Sequence, residues 1–133
     1  MSIHENRAGR INCLLIAGGV WHDIDHARLE LLKLLSEDDR FRVRVFEDYE
    51  NIQAIEDADF IVSYTCNVVP SLGAQEALKA WVEKGGRWYA LHGTNSIIRL
   101  MSSGLYGTPD WAPLFVETLG SMFRSHPPIA PYT

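Results

Sequence analysis

The sequence predicts an α/β fold with a mostly parallel sheet, and three observations carry that prediction. A short apolar run ended by glycines, Ile11–Ala17 before Gly18-Gly19, reads as a strand buried on both faces. Stretches with apolar residues at helical spacing, 25–36 and 71–84, separate such runs. The resulting order of strand, helix, strand, strand, helix, strand is that of parallel strands joined by crossovers.

Each element follows from its residues. After the first strand, Ala27, Leu31, Leu34 and Leu35 recur at helical spacing, with Asp25 placed to cap the helix. Phe41 to Phe46 alternates apolar and basic residues, which suits a strand with one wet face near a sheet edge. Residues 58–64 read as a third strand, central by composition. Pro70-Ser71 opens the second helix, whose stripe is Ala74, Ala77, Leu78, Trp81 and Val82, and Gly85-Gly86 stops it. Arg87 to His92 is a fourth strand, and Gly93-Thr94-Asn95 turns into a short helix ending near Ser102. Beyond a loop at 102–110, Asp110 is placed to cap a last helix with Trp111, Leu114, Phe115 and Leu119 on one face.

At 133 residues and 15.0 kDa the chain is expected to be one domain, 1–133, with residues 1–10 a flexible polar tail. So few helices must cover four strands that one sheet edge should stay open after the fourth, a route to a homo-oligomer.

Composition excludes several classes. With 47% hydrophobic and 22% charged residues the chain is neither disordered nor fibrous. Its net charge is −5 and it has no clustered Lys/Arg stripe, so nucleic acid is not an expected partner. The acidity is concentrated in residues 1–66, which hold 13 acidic and 7 basic residues and read as solvated turns. Cys13 and Cys66 make no disulfide framework, and the N-terminus has no apolar signal core. A reduced, cytoplasmic protein without a membrane span is the expectation.

In parallel α/β sheets ligands bind outside the carboxyl ends of the strands. That rule collects Trp21, His22 and Asp23 after the first strand and Asp48 and Tyr49 after the second. Thr65, Cys66 and Asn67 follow the third strand, and His92, Gly93, Thr94 and Asn95 the fourth. His92 occupies the apex of a sharp strand-to-helix turn with the small flanks Ala90, Gly93 and Thr94 that such a turn requires. Its alternative role is a strand-end histidine bonded to backbone. Gly18 and Gly19 would let the backbone approach a ligand, and the helix after them would favour an anion. There is no GxGxxG or GKS/T, which argues against a dinucleotide or P-loop site. His26 reads as a solvated first-turn residue. Cys66 is either a thiol that His92 could activate or a small apolar filler, and Cys13 is core. His126 lies in a Pro-bounded loop, while Trp21 and Trp111 flank site loops and could stack on a sugar ring, with core packing their default role.

The order Gly18-Gly19-x-x-His22, Val82-x-x-Gly85-Gly86, Leu91-His92-Gly93, Trp111, Leu119-Gly120 and Phe123-x-x-His126-Pro127 resembles the trehalose-utilisation (ThuA-like) family. The likeness runs from about Ile11 to Pro127. That family belongs to the class I glutamine amidotransferase-like superfamily. The resemblance implies a flavodoxin-like three-layer sandwich, a role in the catabolism of trehalose or oxidised disaccharides, and a small-molecule sugar or sugar derivative as partner. Relatives continue into further strands, so by this likeness the chain is truncated at its C-terminus. The elbow holds His92 where amidotransferases carry a cysteine, so no glutaminase activity is expected. The resemblance carries His22, His92 and His126 over as catalytic residues. Gly18, Gly19, Trp21, Asp23, Asn67, Gly93, Thr94 and Trp111 are the accompanying substrate-binding candidates. Three histidines could serve as general acid and base in a hydrolase, isomerase or lyase, or could hold zinc or another divalent metal with an open position. A non-catalytic ligand-binding or interaction domain of the same fold is the alternative.

Overall fold

The computed structural model describes residues 9–125. Strands β1 (Ile11–Gly19), β2 (Phe41–Phe46), β3 (Phe60–Cys66) and β4 (Arg87–Leu91) are all parallel and lie in the order β2-β1-β3-β4. This α/β arrangement is compatible with a flavodoxin-like sandwich, whose sheet begins in that order. The chain steps from β1 to one side and returns to the other, which leaves a crevice at the carboxyl ends of β1 and β3.

Alternation along the strands divides the core in two. Cys13, Leu15 and Val62 face α1 (Ile24–Ser36) and pack with Leu35. Leu14, Ile16 and Ile61 face α2 (Ile52–Glu56), α3 (Leu72–Glu83) and α4 (Pro113–Leu119), meeting Ile55, Leu78 and Phe115. Each fully buried Leu or Ile of this kind contributes about 1.5–3 kcal/mol. Trp81, read as a core residue, is buried and its indole N–H donates to Ala58 O at 2.9 Å.

Several elements differ from the sequence reading. The cap of α1 is Asp23, whose carboxylate accepts the His26 N–H, so Asp25 lies inside the first turn. The buried face of α1 runs through Ile24, Leu31 and Leu35, and Leu34 lies to its side and is exposed. β3 runs to Cys66 rather than Tyr64. The stretch after β2 folds into α2, capped by Asn51. His92–Asn95 is a single 3-10 turn, followed not by a helix but by a hairpin of β5 (Arg99–Leu100) and β6 (Tyr106–Gly107). Asp110 caps nothing: α4 begins with Pro113 after Ala112 and ends at left-handed Gly120. Trp21 and Trp111 are exposed, so neither takes the core role; Arg99 lies over the Trp111 ring.

β4 closes the sheet on one side, with no further strand beside it among the described residues. Helix α1 packs on β1, β2 and β3, and Tyr89 of β4 is left 72% exposed. No helix among the described residues is long and apolar enough to cross a membrane. Residues 1–8 of the tail expected at 1–10, and His126, fall outside the described residues.

Candidate functional site

The histidines after β1 and β4 meet above the crevice. Their ring centres are 4.4 Å apart, edge to face, although β3 lies between the strands that carry them. Tyr64, near the end of that intervening strand, stacks flat on His92 at 5.5 Å and meets His22 edge-on at 6.3 Å. The three rings form one aromatic group at the carboxyl ends of three strands.

Backbone strain gathers at the same place. Trp21, Asn67 and His92 have φ of 67°, 62° and 48°, and they are the non-glycine residues with positive φ among those described. Each immediately follows or nearly follows a different strand of the crevice. Left-handed backbone costs about 1–2 kcal/mol for such residues and is kept where surrounding structure enforces it. At Asn67 the enforcement is visible: its N–H donates to Ser96 O and its side-chain oxygen accepts the Ile98 N–H at 2.9 Å. At His92 it comes from Thr94, whose hydroxyl donates to Leu91 O at 2.8 Å and shares a hydrogen bond with Ser63. The strained apex that small flanking residues suggested is therefore present.

A cleft of about 490 Å³ opens beside the rings, lined by Trp21, His22, Cys66, His92, Gly93 and Phe123 among others. It adjoins a second hollow of about 390 Å³ that shares Trp21 and Phe123 and adds Tyr106 and Arg124. Trp21 and Tyr106 meet edge to face at 5.9 Å. The cleft thus has aromatic walls and two imidazoles at one end.

Desolvation and, secondarily, repulsion from His92 lower the pKa of His22 below its ordinary 6.5. A neutral His22 can therefore accept a proton near neutral pH. Neither imidazole is hydrogen-bonded to a described residue. Cys66 is 3% exposed and burial raises its thiol pKa, the reverse of what a nucleophile needs. Burial pushes Cys13 up to about 12.

The remaining candidates have other surroundings. The spaces where Gly18 and Gly19 lack a Cβ are filled by neighbouring strands: an added carbon would lie 2.0 Å from Glu47 O and 1.9 Å from Cys66 O. Strand packing therefore requires both glycines. With Asp23 they border a polar hollow on the other side of His22, where Asp25 and Glu47 also stand. Because Asp23 already caps α1, the helix N-terminus carries an anion of its own. Arg28 ties this corner together by donating to Ala17 O at 2.8 Å. Thr94 is buried and turned into the sheet, and Trp111 packs under Arg99 away from the cleft lining. His26 is exposed on α1.

Sequence reasoning misses Tyr64, Ser96, Ile98 and Phe123 as site residues. For Tyr64 a signal existed: the last residues of a central strand fall at the ligand edge. Among the described residues no group of three or more His, Cys, Asp or Glu side chains is placed to hold a metal ion. A comparison with known protein families finds no match for the chain, and comparisons with curated proteins and with solved structures find none either.

Proposed function

We propose that the chain is a ThuA-like protein of sugar catabolism, acting on trehalose or an oxidised disaccharide at the His22–His92 cleft. The observation that carries this reading is the contact of the two imidazoles, centres 4.4 Å apart, at the mouth of an aromatic-walled cleft. Two imidazoles at one point of a cleft can serve proton transfer at a sugar carbon or glycosidic oxygen. His22, with its lowered pKa, is the base, and His92 is the second imidazole at the same point of the cleft. Tyr64 holds the His92 ring by stacking, and Trp21 offers a face for a sugar ring. Glutaminase chemistry has no support, since the elbow is a histidine and the Cys66 thiol is buried.

A second reading rests on one specific observation. Neither imidazole has a hydrogen-bonded carboxylate among the described residues to fix its tautomer, as acid–base histidines commonly do. A binding domain that recognises sugars without turning them over fits that lack.

The experiment is to incubate the purified chain with trehalose and its oxidised derivatives, measuring turnover and binding separately. Turnover that His22→Ala and His92→Ala each reduce by about 100-fold or more supports a role of both imidazoles in proton transfer. Binding without turnover, weakened by Trp21→Ala, supports the second reading. Neither binding nor turnover would overturn both.

A further inference from the structure

We propose that the cleft takes an acidic sugar, with Arg124 holding its carboxylate at the end away from the histidines. The proposal rests on the sugar reading of the His22–His92 cleft and names the class of sugar. The hollow of about 390 Å³ beside the cleft shares Trp21, Ile98 and Phe123 with it, so the two form one continuous groove. Each part falls in the range of about 300–1,000 Å³ typical of small-molecule sites. One part ends on the imidazoles and the other on Arg124.

Three observations point to an anion there. The first is the state of Arg124, whose Nη1 donates to Thr108 Oγ1 at 3.2 Å. A neutral hydroxyl therefore steadies the side chain without cancelling its charge. No described residue accepts from Nε or Nη2, the edge that grips a carboxylate through two parallel N–H···O bonds. The second is the lining: among the described residues, no aspartate or glutamate borders either part of the groove. The chain has 17 acidic residues, yet the segments 84–109 and 118–133, which supply most of the groove, contain none. Asp110 and Glu117 border a separate hollow on Arg124, but neither forms an ion pair with it, and Glu117 reaches toward Lys79.

The third is the wall between the two ends. Trp21 is 56% exposed and meets Tyr106, 66% exposed, edge to face at 5.9 Å. These aromatic faces suit a sugar ring whose charged substituent reaches the guanidinium. A carboxylate fits better than a phosphate, because no second Lys or Arg among the described residues lines the hollow to balance a dianion. Solvation alone explains the exposure of Arg124, but not its place at the end of an acid-free, aromatic-walled groove.

The test uses the full chain at fixed ionic strength. Its probes are trehalose and the derivative in which one primary alcohol of trehalose is oxidised to a carboxylate. Titration calorimetry should show the acid binding roughly fivefold to tenfold more tightly, the upper end of an exposed pair because the contact is bidentate. In Arg124→Gln that ratio should fall to near one. In Arg124→Lys, which keeps the charge but not the fork, it should take an intermediate value. Arg124 is exposed, and a thermal melt of each variant checks that it folds. Equal binding of acid and trehalose would overturn the proposal while the sugar reading stands. A preference that survives Arg124→Gln but is lost in His22→Ala/His92→Ala would put the carboxylate on the imidazoles and overturn it as well. Binding of neither probe would overturn the sugar reading and this proposal together.

Discussion

The imidazoles of His22 and His92 meet at 4.4 Å with their planes 78° apart, so the proton on one is felt by the other. His22 is the member whose protonation the fold opposes, first through desolvation and then through its neighbour's charge. Its folded pKa lies below 6.5, while in the unfolded chain it returns to about that value. Between the two values the unfolded chain holds a proton that the folded chain lacks, so stability rises with pH across that window. This contribution is complete above pH 6.5 and is lost as pH falls through the depressed value.

In an NMR titration the His22 ring protons should therefore show a midpoint below 6.5. In His92→Ala the midpoint should move up, but only part of the way, because burial is the larger cause. An unperturbed midpoint, or one indifferent to His92→Ala, would show that the rings do not meet in solution.

The glycines offer a contrast between clash and strain. Gly19 and Gly85 both have positive φ, 108° and 97°. An added carbon at Gly85 meets nothing within 4 Å, whereas at Gly19 it would lie 1.9 Å from Cys66 O. Gly85→Ala should cost about 1–2 kcal/mol for the backbone conformation alone. Gly19→Ala must also push β1 from β3 and should cost about 3 kcal/mol or more. Urea unfolding of the two variants checks the order. Equal losses would mean that the ends of β1 and β3 are not held this closely.

These close approaches also show where sequence reading succeeds and where it stops. The four strands and the two long helices were legible because periodicity is a local property: Cys13–Ala17 is apolar throughout, and the α3 stripe repeats over three turns. At five residues α2 is too short to display a stripe, and the β5–β6 pairing joins two residues to two. Neither leaves a periodic trace. The strand-end rule brought His22 and His92 into one list, but their contact depends on register across β3. The glycines were visible as glycines. That Gly18 and Gly19 are filled by Glu47 and Cys66 carbonyls is a tertiary fact. The left-handed backbone at Trp21, Asn67 and His92 leaves little signature in residue type, since even Asn and His, which are enriched there, adopt it in a small minority of cases and Trp is not enriched at all.

Beside the left-handed backbone at His92 lies a buried hydroxyl. Thr94 Oγ1 donates to Leu91 O at 2.8 Å and lies 3.1 Å from Ser63 Oγ, which in turn accepts the Trp88 indole N–H at 2.9 Å. These residues connect β3, β4 and the turn that carries His92. Thr94→Val keeps the shape but removes the hydroxyl, leaving Leu91 O and Ser63 with fewer partners in a buried setting. A loss of about 1–3 kcal/mol is expected in chemical denaturation. Thr94→Ser retains the hydroxyl and should lose less. Stability alone would not separate a role in positioning His92 from a role in packing, so the second measurement is the His22 midpoint. In Thr94→Val the His92 turn relaxes, its ring moves from His22, and the midpoint should rise toward its value in His92→Ala. Thr94→Ser should leave it near the wild-type value. A Thr94→Val protein that is destabilised yet keeps the wild-type midpoint would confine Thr94 to the core and leave the His92 turn held by other contacts.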